Sequence, residues 1–249
     1  MEILPGVHLV DNVVMPAPGG NRSFNVGLLV DGSTITVIDA GPPGSENTIC
    51  QYVRQIGHSL SQLRRVILTH HHVDNTGGLA GLVNLTGVEV CAHKDDACFI
   101  DGSVARPVEE LSAERVRAFM PAATTEQIAA VRTWMKEFMR TRPTRVDQLL
   151  CGGEELLVHG GCRIVHTPGH TPGHICLYVP ARSLLIAGDL LRYEQVHKWQ
   201  RLISCSSRHI ETPESLRRVS GLAFEAMYGY HGIFLAAGAG RLVNALLVE

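Results

Sequence analysis

The chain has 249 residues, 45% of them hydrophobic and 18% charged, with a formal net charge of −2 and a pI near 6.7. That composition suits a globular chain with a sizeable core, most simply one domain over residues 1–249, and speaks against nucleic acid or an anionic membrane as partner. No apolar run reaches the length of a membrane span, MEILPGVHLV lacks the basic-then-apolar pattern of a signal peptide, and the cysteines match neither a zinc finger nor a disulfide scaffold. A cytoplasmic protein with reduced thiols is the expectation.

The first 40 residues read as β-structure: 7–10, 25–30 and 33–39 are short runs rich in Val, Ile and Leu, with Asp31-Gly32 as a hairpin turn. Asp39-Ala40-Gly41-Pro42-Pro43-Gly44 stops the last strand, and a helix is expected over 45–56 with Ser45 as its N-cap. A strand at 63–68, a helix at 79–85 and a strand at 88–92 alternate in α/β fashion. Residues 106–145 differ. Val131, Trp134, Met135, Phe138 and Met139 fall on one face of a helix, 108–119 forms a partner, and Pro121 separates them. A helical hairpin inserted between two β-rich halves is expected, its stripe serving as core packing or as the inner face of a lid. Strands return at 155–158, 162–166, 175–179 and 183–187. Residues 192–213 read as a loop, 215–223 as a helix, and 241–248 as a closing helix.

Four clusters carry chemistry. In LTHHHVDNTGG, residues 68–78, His70 and His72 alternate along an extended segment and can aim at one point, with Asp74 beside it. Such convergence is what a metal site needs, and zinc accepts imidazole nitrogen readily. HTPGHTPGH, residues 166–174, projects His170 beyond a tight Pro168-Gly169 turn. AGDLL places Asp189 just after an apolar strand, and GYHG carries His231. All four stand at the ends of strand-like segments, the edge at which α/β layers bind ligands.

In this combination the chain resembles the metallo-β-lactamase superfamily, and within it the stand-alone glyoxalase II-like and YflN-like hydrolases. The likeness runs from VIDAGPPG at 37–44 to His231-Gly232. It implies a four-layer αβ/βα sandwich with a two-metal cleft at one sheet edge. By motif position it implies His70, His72 and His170 at one metal, Asp74 and His231 at a second, Asp189 between them, and Asp39 supporting the loop from beneath. His71, His166 and His174 fall outside the ligand positions and read as supporting or packing residues.

The family pattern is H-x-H-x-D-H, and this chain has Asn75 in place of its last histidine. A carboxamide oxygen is a neutral, harder ligand than imidazole. Three outcomes follow: one metal only, a second and weaker or harder metal, or a degenerate member without catalysis. A rival alignment sets LAAGAG, residues 235–240, against the last motif and puts Ala239 where His231 would stand.

The implied chemistry is hydrolysis of an ester, thioester, lactone or β-lactam carbonyl by a metal-activated hydroxide, with Asp74 orienting it. Zinc is the expected metal, one or two ions per chain, with iron or manganese as alternatives. Arg192 stands at an offset where some relatives hold a substrate carboxylate, and Tyr193 is one residue later. Loss of the motif histidine keeps a mononuclear iron oxidoreductase of the persulfide dioxygenase type as a rival. The expected partner is a small-molecule substrate, and the apolar insertion is suited to packing across a homodimer.

Overall fold

The computed structural model describes residues 1–16, 21–105, 113–138, 141–194, 198–201, 212–232 and 234–247, with backbone alone at 115, 118, 119, 137, 192–194, 198–201 and 212. In chain order its elements are β1 (Glu2–Leu4), β2 (Val7–Leu9), β3 (Val14–Met15), β4 (Arg22–Ser23), β5 (Gly27–Asp31), β6 (Thr34–Ile38), α1 (Ser45–Gln55), β7 (Leu63–Ile67), α2 (Val73–Thr76), α3 (Leu79–Thr86), β8 (Glu89–His93) and α4 (Lys94–Ile100). There follow α5 (Ala113–Phe119), α6 (Thr125–Phe138), β9 (Gln148–Leu150), β10 (Glu155–Leu156), β11 (Cys162–His166), β12 (Ile175–Val179), β13 (Leu184–Ile186), β14 (Leu191–Glu194), β15 (Lys198–Arg201), α7 (Thr212–Ser220), β16 (Ala226–Tyr228), β17 (Phe234–Leu235) and α8 (Ala239–Ala245).

Two large sheets carry the architecture, one ordered β1-β2-β5-β6-β7-β8-β9 and the other β10-β11-β12-β13-β16-β17. In the first, β6, β7, β8 and β9 run parallel; in the second, β13 and β16 do. Strand periodicity sorts the side chains into layers. In β6 and β7, Ile38 and Ile67 face the second sheet, where Ile164, Ile175, Leu177 and Leu184 meet them. Their neighbours Val37 and Val66 face the opposite way, against Ile49 and Val53 of α1 and Leu79 and Leu82 of α3. In the second sheet Cys176 and Leu185 turn outward to Leu216 and Val219 of α7 and Val243 of α8. Three apolar seams between four layers give the expected αβ/βα sandwich.

Most elements fall where the hydrophobic pattern puts them, though the closing helix, expected at 241–248, lies earlier, at Ala239–Ala245. Gly44, in the left-handed region at φ 93°, caps α1, and Ser45 is its first residue. Helix α4 and strand β9 arise where no helix or strand was expected, because α4 is one short turn-rich segment and β9 three residues at the sheet edge. The stretch expected as a loop from 192 opens instead with the β14–β15 hairpin, in which Arg192 pairs with Gln200 and Tyr193 with Trp199. The helix expected at 215–223 starts earlier, at Thr212.

Between α4 and β9 stand the helices α5 and α6. Val116 of α5 and Ile128 and Val131 of α6 bury together with Ala123 in a small core of their own. Trp134 and Phe138 stack with ring centroids 5.2 Å apart, and both are only partly buried. Residues 106–112, within the first expected helix, and Met139 lie outside the described residues. No helix among the described residues is long and apolar enough to cross a membrane.

Candidate metal centre

The parallel strands β6 and β7 end side by side, and β13 and β16 end opposite them, so four chain reversals share one edge of the sandwich. His70, Asp189 and His231 leave these ends, and His170 lies on the turn that joins β11 to β12. Nε2 of His70 lies 3.1 Å from Nδ1 of His72, which lies 2.9 Å from Nε2 of His170. A tetrahedral zinc with nitrogens at roughly 2.05 Å would space them by about 3.3 Å. The three histidines are thus brought together at the separation one ion requires.

Burial keeps the His70 and His72 rings neutral. It pushes the His70 imidazole well below its ordinary value and His72 to about 3, with neighbouring imidazoles adding to the effect. His70 Nδ1 lies 3.1 Å from Thr69 Oγ1, which itself donates to Asp39 at 2.9 Å. The proton of His70 therefore sits on Nδ1, and the Nε2 lone pair points into the cluster.

Asp189 joins the two halves. Its Oδ2 is 3.2 Å from His170 Nε2, 3.4 Å from His231 Nε2 and 4.0 Å from His70 Nε2. Its Oδ1 is buried with no hydrogen-bond partner. On the far side His231 Nε2 lies 3.2 Å from Asp74 Oδ2. Burial opposes charge on these groups, yet the two carboxylates raise His231 to about 10, while His231 and His170 hold Asp189 well below the carboxylate range. Asp74 is lowered through His231 in the same way. Buried lone pairs facing one another, with an orphaned carboxylate oxygen among them, form a donor set that suits divalent cations.

His231 is fixed from outside the cluster. Asn25 Nδ2 donates to the carbonyls of Gly229 and Gly232 at 2.9 and 3.0 Å, and the Tyr230 hydroxyl donates to the carbonyl of Asp74. Ala239, the rival for this position, opens α8 and packs with Leu216 and Phe224. The structure therefore brings His231, not Ala239, to Asp74 and Asp189.

Asn75 is fully buried. Its Nδ2 donates to Thr69 Oγ1 at 3.4 Å, and its amide helps to temper the Asp39 carboxyl, which burial raises to about 7. Its Oδ1 is buried with no hydrogen-bond partner. The backbones of Arg192 and Tyr193 lie in the β14–β15 hairpin, and their side chains lie outside the described residues.

Sequence reasoning missed one support, Asp96, and read a second, His174, as a supporting or packing residue without its partners. Asp96, buried on α4, accepts from the His71 amide at 2.9 Å, from Thr171 Oγ1 at 2.7 Å and from the Gly173 amide at 2.7 Å. It ties the His70–His72 segment to the His170 turn. Its only signal was the Asp95-Asp96 pair just past a strand. His174 accepts from the Asp189 amide at 2.9 Å, and its other nitrogen lies 2.9 Å from Thr167 Oγ1. Gly188 makes room for that bond: its φ is +52°, and a Cβ there would come within 2.7 Å of His174 Nε2.

The metallo-beta-lactamase superfamily model matches residues 19–220. The chain belongs to that superfamily. Its relatives include YobT of Bacillus subtilis, 29% identical over 66% of this chain and 60% of YobT. Another is "Probable metallo-hydrolase YflN" of Bacillus subtilis, 28% identical over 80% of this chain and 76% of YflN. The chain thus spans less than two thirds of YobT. Among solved structures, the metallo-beta-lactamase family protein TTHA1429 from Thermus thermophilus superposes with a TM-score of 0.69 over 99% of this chain and 80% of its own, at 22% identity. That likeness establishes the shared fold. Membership in the superfamily implies divalent metal ions, and the histidine cluster is a place among the described residues that suits them.

Proposed function

We propose that this chain is a metal-dependent hydrolase acting on an ester, thioester, lactone or β-lactam carbonyl of a small molecule. The observation that carries the proposal is the meeting of His70, His72 and His170 nitrogens with Asp189, and of Asp189 with Asp74 and His231. His70, His72 and His170 would hold one ion, and Asp74, Asp189 and His231 a second. Bound there, divalent metal supplies a nucleophile at neutral pH by acidifying water and polarises the carbonyl under attack.

The residues supply the rest. Asp74 is partly exposed on the open side, and its carboxylate is steadied by His231. It is placed to orient the attacking water and to take its proton. The nitrogen-rich first site favours zinc. The second, with two carboxylates, one imidazole and the Asn75 carbonyl, favours a harder ion such as manganese, and binds more weakly than a site with a second imidazole.

Metal content by plasma mass spectrometry, before and after loading with zinc, manganese and iron, tests this beside a panel of the four substrate classes. The expected result is one tight zinc, a second ion on loading, hydrolysis of at least one class, and loss of both metal and turnover in His72→Ala. A single iron with oxygen uptake on a glutathione persulfide would replace the hydrolase by the oxidoreductase reading. No bound metal at any loading would overturn both.

A further inference from the structure

Away from the centre, the ends of β8 and β11 bring a second set of ligating groups together. His93, Asp95 and His166 each present one ligand atom, all within 4.8 Å of one another. His93 is buried, His166 partly exposed and Asp95 exposed, so the set is floored by protein and open to solvent. His93 Nδ1 lies 3.6 Å from Asp95 Oδ2 and accepts only a long bond, 3.3 Å, from the Asp95 amide. Its Nε2 is buried, and the Cys151 backbone carbonyl lies within reach of the ring. His166 donates from Nε2 to the Pro172 carbonyl at 2.9 Å, which leaves the Nδ1 lone pair free. The two rings stack 4.0 Å apart at 15°. Neutral imidazoles are good donors to a cation.

We propose that His93, Asp95 and His166 form an auxiliary site for a borderline divalent transition metal such as zinc, nickel or copper. Two imidazoles and one carboxylate is a donor set for such ions and a poor one for magnesium or calcium. Stacked rings cannot both direct a lone pair squarely at one ion. Binding therefore turns the His166 ring, the more exposed of the two and held by one hydrogen bond, toward His93 and Asp95. The site joins the first sheet to the second: His93 ends β8, and His166 ends β11. Asp95 is followed by Asp96, which holds both ligand loops of the main centre, and His166 is followed by the turn that carries His170. An ion here staples the two halves beside the centre without sharing a ligand with it.

The test is a titration with Co²⁺, followed by visible absorption and equilibrium dialysis, on a His72→Ala/His170→Ala/His231→Ala variant, in which both ion positions of the main centre have lost ligands. One saturable equivalent is expected, together with a rise in melting temperature. Adding Asp95→Asn, an exposed change that leaves the fold intact, or His166→Ala should abolish both. Circular dichroism of the metal-free variants checks folding. An ion that binds equally with and without Asp95→Asn and His166→Ala would place it elsewhere and overturn the proposal, as would no saturable binding in the parent variant. Neither outcome bears on the main centre, which is read from the wild-type chain.

Discussion

The Asp96 carboxylate accepts the backbone N–H of His71 at 2.9 Å, in the middle of the His70-His71-His72 segment. With its bonds to Thr171 and Gly173 it fixes the spacing between two loops that meet only in the folded chain. Asp96→Ala would leave three donors without acceptors in a buried place. It should cost about 3 kcal/mol in urea unfolding and weaken metal binding by roughly 10–100-fold, since outer partners set ligand geometry. Unchanged metal affinity in a folded Asp96→Ala protein would show that the loops keep their spacing without it.

Metal uptake should have a proton inventory. His70 and His72 are held neutral, so filling their site releases no proton from them near pH 7.5. His231, raised to about 10 by its two carboxylates, must lose its proton to bind a second ion. Calorimetry in buffers of different ionisation enthalpy should find the second ion releasing about one proton per chain and the first nearly none. Equal release at both steps would contradict this assignment of charge.

The sequence made the clustered residues legible because each follows a strand within a tight local pattern. Most strands of both sheets were legible as short apolar runs such as Ile175 to Val179, and the four layers as what the family resemblance implies. What stayed hidden is long-range and polar. Asp96 and His174 act through hydrogen bonds to backbone amides far along the chain, and no local periodicity encodes such a pairing. Short edge elements such as β9 and the β14–β15 hairpin owe their form to neighbouring strands or tertiary context more than to their own composition.

Asn75→His restores an imidazole at the position where the superfamily motif has one. It should raise occupancy of the second ion at limiting metal, read by mass spectrometry of dialysed protein. The larger ring also enters a fully buried place and breaks the Thr69 contact, so a loss of about 1–3 kcal/mol in stability is expected. No gain in the second metal would mean that position 75 does not face it.

His174 gives a pH signature in metal-free protein. Burial and the nearby His170 lower its imidazole from 6.5 to about 4. The unfolded chain therefore takes up a proton between those values before the folded one does. This contribution to stability is whole above pH 6.5 and is lost as pH falls toward 4, up to about 3 kcal/mol at 1.4 kcal/mol per unit. The stability advantage of wild type over His174→Gln should shrink across that window. The buried Asp39 slopes the other way, but it is present in both proteins and cancels in the difference. A constant difference from pH 7 to pH 4 would mean that His174 does not bind its proton so weakly.

The donor atoms of the centre are dispersed along the chain, from His70 through His170 and Asp189 to His231. A ribosome adding 5–20 residues each second would need roughly 10–30 s between the first and the last of them. Throughout that interval the nascent chain exposes an imidazole-rich loop whose partners do not yet exist. An ion captured early would be held by the first half alone, and the complete ligand set assembles only after the second sheet has been made. Metal loading in the cell is on that view a late event in the life of the chain, and the order in which ions are offered during synthesis becomes a variable of its own.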